Sequence, residues 1–429
     1  MPAGYVQHAI TGNFSVEAFI SHIEATHDNV FWLDDSVQSG VSYVGWGWPV
    51  ASSDLGVIDA AGLIPVSLVG WIGYSQRHET LWPGERTAES AEAHTRFMKV
   101  TVAVRVDHHS GTASIIADDW NPVACAQRDE ILDICSGLTH LESPPEPRVT
   151  TATWRDSTDQ YAHMIRDCQE HIRNGDAYQL CLTTSATVET AERPLTVYRR
   201  LRRLAPTHSG GFIRIDGTSL LSASPEVFVD ISHGVATTKP IKGTRPRSSD
   251  PARDAQLIEE LAADPKERAE NLMIVDLSRN DLSKVSNAES VTVTKLFDIE
   301  TYTTVHQLVS TVESRLLPET LLSAVVTALF PAGSMTGAPK RRAVEILEEI
   351  ETGERGIYSG AFGRIGGGDA HLAMTIRAIV CEGDTATLGV GGGITIDSVP
   401  DNEVREVGVK AHALLTALGA EPNPFLAHR

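Results

Sequence analysis

The sequence predicts an α+β protein, and three observations lead to that class. The chain has 429 residues, of which 41% are apolar and 21% charged, so it is long enough to bury one or two ordinary cores. Short apolar segments typical of strands are mixed with segments of helical periodicity. These segments lack the regular strand–helix–strand rhythm of a doubly wound sheet, which leaves α+β as the favoured class.

Charge and composition exclude several classes of partner. The formal net charge of -20 argues against nucleic acid and anionic membrane as partners. No apolar run is long enough to cross a bilayer, and the N-terminus lacks a secretory signal pattern, so we expect a cytoplasmic protein. The five cysteines are scattered and form no CxxC pair, which favours reduced thiols over disulfides or a zinc site.

The N-terminal region, residues 1–143, is predicted to be a strand-rich α/β region. Its apolar segments 31–33 and 66–74 are bounded by turn residues, and valines alternate with other residues from Val100 to Val106. No constellation of catalytic residue types occurs there. Three prolines lie among charged residues in the segment 141–150, which is the best candidate for a linker to a second region, residues 150–420.

The second region is predicted to alternate between helices and strands. Helical spacing runs from Tyr161 to Ile172 and ends at Asn174-Gly175, and a strand begins near Gln179. Further helices are predicted over 250–280, 318–330, from Pro339 onward and over 402–418, and strands over 212–215, 220–222, 227–231 and within 358–396.

The most unusual segment of this acidic chain is Lys239–Arg247, which holds four basic residues among nine. Pro240 and Pro246 exclude a helix interior, and Gly243 permits a backbone conformation closed to other residues. A stiff cationic segment of this kind suggests a site for an anion. The alternative is a solvated basic loop.

Glu226 and Lys242 lie on successive predicted strands and form a candidate catalytic pair. A carboxyl group whose pKa is raised by burial can protonate a departing hydroxyl. A lysine whose pKa is lowered can act as a nucleophile, and the basic neighbours Lys239, Arg245 and Arg247 are of the type that would lower it. The alternative is a surface salt bridge.

Four glutamates form a second candidate group. Glu267 and Glu270 share one predicted helix face, and Glu403 and Glu406 share another that also carries Lys410. Carboxylates from two distant helices, with no histidine or cysteine nearby, suit Mg²⁺ better than Zn²⁺. The alternative is a pair of solvated helix faces.

Two glycine-rich stretches complete the candidates. The stretch 389–393 continues into a strand instead of opening a helix, so it does not fit a nucleotide loop, but its backbone N–H groups could hold a carboxylate. The stretch 333–340 offers Ser334, Thr336 and a helix N-terminus to an anion. These residues together predict a Mg²⁺-assisted enzyme that acts on a small carboxylate.

Six motifs, in this order along residues 155–412, resemble those of the chorismate-utilising enzymes. This family includes anthranilate synthase component I, aminodeoxychorismate synthase component I, and the isochorismate and salicylate synthases. The resemblance implies a fold of two packed β-sheets flanked by helices, with the site between them. The motifs are Ser224-Pro225-Glu226, Pro240 to Arg247, Arg268-Ala269-Glu270-Asn271, Asp276 to Leu282, Gly337-Ala338-Pro339-Lys340 and Asp397-Ser398-Val399-Pro400.

Three positions distinguish the members of this family. Isochorismate and salicylate synthases resemble one another in a lysine that activates water. This chain has Gln179 at that position, and an amide cannot act as a base. Anthranilate synthases typically have alanine in place of Lys242. They also have a histidine, linked to pyruvate elimination, where this chain has Gln307. All three differences favour the aminodeoxychorismate synthase branch, with anthranilate synthase component I as the alternative.

The resemblance implies a mechanism. Mg²⁺ held by Glu270 and Glu403, supported by Glu267 and Glu406, would bind the ring carboxylate of chorismate. Lys242 would add at C2 while Glu226 protonates the departing C4 hydroxyl. Ammonia would then enter at C4 and expel the lysine, giving 4-amino-4-deoxychorismate for 4-aminobenzoate and folate biosynthesis.

The resemblance also implies the substrate contacts and a partner. No stretch resembles the nucleophile motif of a glutamine amidotransferase, so we expect a separate glutaminase subunit to supply the ammonia. A catalytically inactive chorismate-binding subunit is a further alternative, disfavoured by the complete catalytic set. The positions implied to contact chorismate are Gln179, Thr244, Ser334, Tyr358, Arg377, Gly391, Gly392, Gly393 and Lys410.

Overall fold

The computed structural model describes residues 5–12, 14–52, 54–83, 94–118, 121–138, 141–302 and 305–427. Strands and helices are both abundant in these ranges, which confirms the α+β class. The strands are β1 (Val6–Ala9), β2 (Val30–Asp34), β3 (Val41–Trp46), β4 (Trp48–Pro49), β5 (Leu68–Ile72), β6 (Arg96–Lys99), β7 (Val102–Asp107), β8 (Thr112–Ala117), β9 (Ala152–Trp154), β10 (Gln179–Glu189), β11 (Ser209–Ile215), β12 (Thr218–Ser224), β13 (Val227–Ser232), β14 (Val235–Thr238), β15 (Ile241–Pro246), β16 (Thr292–Thr301), β17 (Val305–Arg315), β18 (Gly337–Ala338), β19 (Ala361–Gly366), β20 (Asp369–Met374), β21 (Ala378–Glu382) and β22 (Thr385–Ile394). The helices are α1 (Val16–Thr26), α2 (Arg77–Leu81), α3 (Pro122–Gly137), α4 (Thr158–Arg173), α5 (Pro194–Leu204), α6 (Pro251–Ala263), α7 (Pro265–Ser283), α8 (Leu322–Leu329), α9 (Lys340–Ile350), α10 (Pro400–Leu418) and α11 (Pro424–Ala427).

The strands form two antiparallel sheets. In the first sheet the order is β1-β8-β7-β3-β2-β11-β12-β21-β22-β10-β18, and β9 also pairs with β10. In the second sheet the order is β15-β17-β14-β13-β20-β19-β5-β6-β4, and β16 also pairs with β17. Strands that are distant in sequence are therefore neighbours in space.

The two sheets pack face to face, and helices cover their other faces. Phe31 of β2 packs against residues of the second sheet such as Trp71, whereas the adjacent Trp32 packs in a cluster with helix residues such as Tyr198. Successive residues of a strand point to opposite faces, so β2 contributes to two cores at once. Helices α4, α5, α9 and α10 belong to the cluster on the first sheet, and α7 and α8 to that on the second. This arrangement confirms the predicted pair of packed sheets flanked by helices.

The proline-rich segment is held against the body of the protein. Arg199 and Arg200 donate hydrogen bonds to the carbonyl oxygens of Glu142 and Pro145, and Thr150 forms a β-bridge with Ala420. The strands that precede this segment belong to the same two sheets as those that follow it. Residues 1–143 therefore contribute strands to the framework that also carries the candidate site.

One of the predicted helix boundaries is wrong, and the helical stretch 250–280 divides into two helices. These two helices begin at Pro251 and Pro265, because Asp264 leaves the helical conformation and caps α7 by accepting hydrogen bonds from the N–H groups of Lys266 and Glu267. The predicted helix 318–330 is shorter and starts at Leu322, because Glu319 has a φ of 62° in the left-handed region. Within the described ranges, no helix is both long and apolar enough to cross a bilayer.

Candidate active site

A β-bulge in β15 positions Lys242. The register between β15 and β17 shifts between Lys242 and Thr244, and the intervening Gly243 has a φ of 78°. A Cβ atom at Gly243 would lie 2.8 Å from Cδ1 of Leu261 and 3.0 Å from Cδ of Glu267. Only glycine combines this backbone conformation with this close packing, so the glycine fixes the direction of the preceding lysine.

The side chain of Lys242 ends beside a carboxylate and an amide. Among the described residues, its amine makes no hydrogen bond. Its Nζ atom lies 3.8 Å from Oε2 of Glu270, beyond hydrogen-bonding distance, and its side chain is 13% exposed. Gly393 of β22 leaves the space in which Nζ lies, because a Cβ atom there would be 3.4 Å from Nζ and 2.3 Å from Nε2 of Gln179. The amine is therefore confined but is not held in a short ion pair.

Gln179 is the least satisfied polar side chain of the site. It is buried at the start of β10, and neither its amide nitrogen nor its amide oxygen has a hydrogen-bond partner among the described residues. Most buried polar groups in proteins are hydrogen-bonded, and the exceptions are concentrated at functional sites. An amide with a free donor and a free acceptor is suited to contact a polar ligand.

Glu226 lies between β12 and β13 and carries the candidate acid. Burial raises the pKa of its carboxyl group above the ordinary value, although a hydrogen bond with Ser334 and the charges of Lys242 and Lys410 oppose that rise. A small cavity of about 30 Å³ lies against Glu226 and Ser334, which is room for one water molecule. The carboxyl group therefore retains its proton to a higher pH than an exposed glutamate does.

The four glutamates project from two facing helices. Glu270 of α7 and Glu403 of α10 have side chains that are 10% and 6% exposed, and the ammonium of Lys266 lies 3.8 Å from the first and 3.5 Å from the second. Burial and the charge of Glu406 raise the pKa of Glu403. Glu406 itself lies at the rim, where its 2.7 Å ion pair with Lys410 lowers its pKa.

Glu267 lies between Arg245 and the buried Glu270. Its Oε1 atom lies 3.7 Å from Nη1 of Arg245, and burial together with the charges of Glu270 and Asp264 raises its pKa. Across the described ranges, no three acidic, histidine or cysteine side chains are close enough together to hold a metal ion as they stand. Two buried carboxylates that already share a cation nevertheless fit a Mg²⁺ site, because this ion commonly takes one or two protein carboxylates and completes its shell with water and substrate.

The opposite side of the cleft is suited to an anion. Arg377 has a φ of 49°, and no carboxylate of the described residues lies within ion-pair distance of it; burial lowers the pKa of its guanidinium. The ring of Tyr358 packs on Gly389, where a Cβ atom would lie 2.2 Å from Cγ of the tyrosine, and burial raises the pKa of its phenol. The site thus has an arginine with no carboxylate partner among the described residues, beside a phenol that remains protonated.

Backbone groups of β22 face the same space. β22 pairs with β10 up to Ile394 but with β21 only as far as Leu388, so one edge of the 389–393 stretch carries no strand among the described residues. Lys410 donates a 2.8 Å hydrogen bond to the carbonyl oxygen of Gly391 at that edge. The N–H groups of Gly391 and Gly393 point to this edge as well, because alternate residues of an antiparallel strand share a side. Gly392 is instead the point near which Glu403, Glu406 and Lys410 converge.

The basic segment differs from its predicted role. Thr244 is exposed on β15, opposite Gln307, and its contact with the substrate stays a prediction. The predicted basic neighbours of Lys242 have acidic partners of their own, since Lys239 pairs with Glu300, Arg245 with Asp264 and Arg247 with Asp254. They therefore do not supply uncompensated positive charge to the surroundings of Lys242.

The predicted anion site at residues 333–340 is reduced to Ser334. The hydroxyl of Thr336 donates a hydrogen bond to the carbonyl oxygen of Ala332, so it is used within its own turn. Lys340 is buried, with its Nζ atom 2.6 Å from Asp281 and 2.7 Å from the carbonyl oxygen of Leu329. Both side chains are structural.

A buried ion pair between Glu351 and Arg355, which the sequence did not reveal, stabilises the elements that carry the site. Arg355 pairs with Glu351 at 2.7 Å and donates hydrogen bonds to the carbonyl oxygens of Cys181 and Met335. It thereby ties β10 to the turn that carries Ser334. The spacing of four residues between Glu351 and Arg355 was the available signal, but it is common on protein surfaces.

A larger cavity of about 520 Å³ lies between the sheets and is separate from this cleft. Among its lining residues are Asp34, Asp35, His208, Tyr302 and His371. Lys239 of the basic segment also lines it, but none of the predicted catalytic, metal-binding or substrate-contacting residues does. The candidate active site is therefore the cleft bounded by β10, β15, β22, α7 and α10.

Comparison with known proteins identifies relatives of this chain. Residues 21–416 match the model of a family described as chorismate binding enzyme. An aminodeoxychorismate synthase from Streptomyces pristinaespiralis is 40% identical over 363 residues, covering 82% of this chain and 50% of that protein. The chain thus spans about half the length of that relative. An anthranilate synthase component 1 from Haloarcula marismortui is 35% identical, covering 82% of this chain and 73% of that protein. The crystal structure of anthranilate synthase component I from Streptococcus pneumoniae superimposes with a TM-score of 0.74 at 26% identity, covering 96% of this chain and 92% of that one.

Proposed function

The chain belongs to the family of chorismate binding enzymes, and within that family we propose that it aminates chorismate at C4 with ammonia to give 4-amino-4-deoxychorismate. The observation that carries the proposal is the confined amine of Lys242 beside the amide of Gln179. A lysine can form a covalent bond to the substrate, whereas the amide cannot activate water. The similarity to aminodeoxychorismate synthases supports the same choice.

The chain's own residues account for the bond changes. The amine of Lys242 forms a bond to C2, the two ring double bonds each shift by one position, and the C4–O bond breaks as Glu226 donates its proton, which releases water. Ammonia then bonds to C4, the two double bonds shift back, and the C2–N bond to Lys242 breaks. The proton lost by the incoming nitrogen returns to Glu226. The net change is chorismate plus ammonia to aminodeoxychorismate plus water, with the enolpyruvyl group retained.

The two ends of the cleft would hold the two carboxylates of the substrate. Arg377, Tyr358 and the N–H groups of Gly391 and Gly393 are suited to the enolpyruvyl carboxylate, and Lys410 lies nearby. Mg²⁺ held by Glu270 and Glu403 would neutralise and orient the ring carboxylate. Glu267 and Glu406 would support these ligands from the same helices.

We propose that the ammonia comes from glutamine through a glutaminase partner. The proposal is supported by the sequence, in which no stretch resembles the nucleophile motif of a glutamine amidotransferase. The product would serve 4-aminobenzoate and folate biosynthesis.

The second candidate is anthranilate formation, favoured by the similarity to anthranilate synthases. Amination at C2 with loss of pyruvate is implied to need a histidine at the position of Gln307. His306 is fully buried, and its ring contacts Asp254 and Thr301 at 3.0 and 2.8 Å, so it is engaged away from the cleft. This placement favours amination at C4.

A product assay distinguishes the candidates. The protein is incubated with chorismate, Mg²⁺ and an ammonium salt, with and without an added aminodeoxychorismate lyase. We expect 4-aminobenzoate only when the lyase is present. Release of anthranilate and pyruvate without the lyase would instead assign the protein to the anthranilate branch, and formation of isochorismate without ammonia would assign it to the water-using branch.

A further inference from the structure

Lys266 joins the two helices that carry the candidate metal ligands. It lies in the first turn of α7, and its Nζ atom is 3.5 Å from Oε1 of Glu403 on α10 and 3.8 Å from Oε1 of Glu270, four residues further along α7. Glu270 and Glu403 are the two most buried carboxylates of the cleft. The ammonium therefore stands between them as their shared counter-charge.

The surroundings of Lys266 show what it neutralises. On α10 it faces Glu403, with Glu406 one turn further on, and on α7 it faces Glu270. Two further cations lie near the pair: Lys242, whose Nζ atom lies 3.8 Å from the second oxygen of Glu270, and Lys410, whose charge acts on Glu403 across Gly392. Two buried carboxylates that face each other repel strongly unless a cation lies between them. Removal of the ammonium would leave Glu403 without the nearest cation that it has.

Lys266 differs from a fixed structural lysine because it can leave. Its side chain is 49% exposed, and both of its contacts are at or beyond the limit of a hydrogen bond. A lysine side chain is long and flexible, and its ammonium is strongly hydrated in water. It can therefore move into solvent without leaving a buried donor unsatisfied.

We propose that Lys266 is a resident counter-cation of the Glu270–Glu403 pair, which a divalent cation must displace to bind. The proposal rests on the assignment of these glutamates as metal ligands under the proposed function. A divalent ion and an ammonium repel each other at this separation, so the two cannot occupy the space between the carboxylates together. Lys266 thus keeps the cleft intact without metal and weakens the affinity for Mg²⁺ in the absence of substrate.

Titration of the intact protein with Mg²⁺ by isothermal calorimetry, without chorismate, tests this competition. We expect Lys266→Gln to lower the Kd for Mg²⁺ about tenfold, which corresponds to about 1.4 kcal/mol. Lys266→Arg keeps the positive charge and should leave the Kd near that of the unmodified protein. Lys295→Gln removes the same charge from an exposed ion pair on β16 and controls for the change in net charge.

The outcomes separate the role of Lys266 from the metal site itself. An unchanged or larger Kd for Lys266→Gln, in a protein whose Mg²⁺ binding is abolished by Glu403→Gln, would overturn the role of Lys266 and leave the metal site standing. Mg²⁺ binding that is absent from both proteins, or is insensitive to Glu403→Gln, would overturn both. Thermal melts give a second measure: Lys266→Gln should melt at a lower temperature than the unmodified protein without metal and gain more from saturating Mg²⁺.

Discussion

Lys340, which is buried, and Lys242, which is largely enclosed, lie in opposite kinds of environment. Lys340 is 8% exposed on its side chain and is fully engaged, at 2.6 Å from Asp281 and 2.7 Å from the carbonyl oxygen of Leu329. Lys242 is nearly as buried, at 13%, but its nearest carboxylate is 3.8 Å away, and no hydrogen bond to it occurs among the described residues.

The difference separates a lysine that stabilises the fold from one that is available for chemistry. A buried ammonium held by short contacts to a carboxylate and a carbonyl contributes to the folded state and is costly to remove. An amine that is confined but held loosely can reach a substrate atom, and the cost of confining it is met by the surrounding fold. Burial alone therefore does not identify a catalytic lysine. The distances to its partners do.

Replacement of Lys242 by alanine should have the largest effect on activity and almost none on stability. We expect the rate of amination to fall about a thousandfold or more, because the covalent route is lost. The melting temperature should change by no more than about 2 °C, because no short contact is broken and Lys266 remains as a counter-charge for Glu270. A coupled 4-aminobenzoate assay and a thermal melt of the same preparation check both expectations. An undiminished rate would remove Lys242 from the nucleophile role.

Replacement of Lys340 by methionine should have the reverse effect. The carboxylate of Asp281 would remain buried beside Lys284 alone, and we expect the free energy of unfolding to fall by about 3–5 kcal/mol. Urea denaturation followed by tryptophan fluorescence measures this loss. The double variant Lys340→Met, Asp281→Asn is the control, since it removes both charges and should recover part of the stability. A single variant as stable as the parent would contradict the structural role.

Glu226→Gln should lower the activity of the enzyme and raise its stability at high pH. We expect kcat/KM to fall about a hundredfold, because the amide cannot protonate the departing hydroxyl. Burial raises the folded-state pKa of Glu226 above its ordinary value of 4.5, so the stability associated with this group is present below that value and is lost as the pH rises through the raised pKa. The variant should therefore melt about 1–2 °C higher than the parent at pH 8.

The pH dependence gives the control for that variant. Well below pH 4.5, both proteins carry a neutral side chain at residue 226 in the folded and unfolded states, so their melting temperatures should agree. In the unmodified enzyme, kcat/KM should decline as Glu226 loses its proton. Equal melting temperatures at pH 8 would mean that the ionised carboxylate is not destabilising in this cleft.

Gln179→Leu should give the smallest effect of the series. Both polar atoms of the amide are buried without a partner, so leucine should stabilise the substrate-free protein by about 1 kcal/mol. The KM for chorismate should rise if the amide contacts the substrate. Urea denaturation and initial rates at several chorismate concentrations test the two effects. A loss of stability would show that the amide is satisfied in the free protein.

The sequence predicted which residues meet in the cleft better than it predicted their contacts. Lys242, Glu226 and Glu270 belong to local motifs, and the motifs carry residue types directly. Gly243 was recognised as a permissive position, and the bulge that it forms agrees with that prediction.

What the sequence could not show depends on contacts between distant segments. Lys239, Arg245 and Arg247 were expected to act on Lys242, but each is neutralised by an acid brought in from another element. The spacing of Lys266 and Glu270 can be seen in the sequence, whereas the reach of Lys266 to Glu403 exists only because α7 and α10 meet at the cleft.

The fold, like the site, divides into local features that the sequence predicted and long-range contacts that it did not. The helices begin where prolines and capping residues predict, as at Pro251 and Pro265. The sheets instead bring together strands far apart in the chain, such as β2 with β11 and β5 with β19. Local propensity carries no information about these pairings, because they depend on the packing of the whole chain.

The most direct test of the central claim is intact-protein mass spectrometry after incubation with chorismate and Mg²⁺ in the absence of ammonia. We predict an adduct with the mass of chorismate less one water, mapped by peptide analysis to Lys242. The adduct should be absent from Lys242→Ala and discharged as aminodeoxychorismate when an ammonium salt is added. A protein that forms the aminated product at full rate but carries no such adduct, or carries it on another residue, would contradict the covalent role of Lys242.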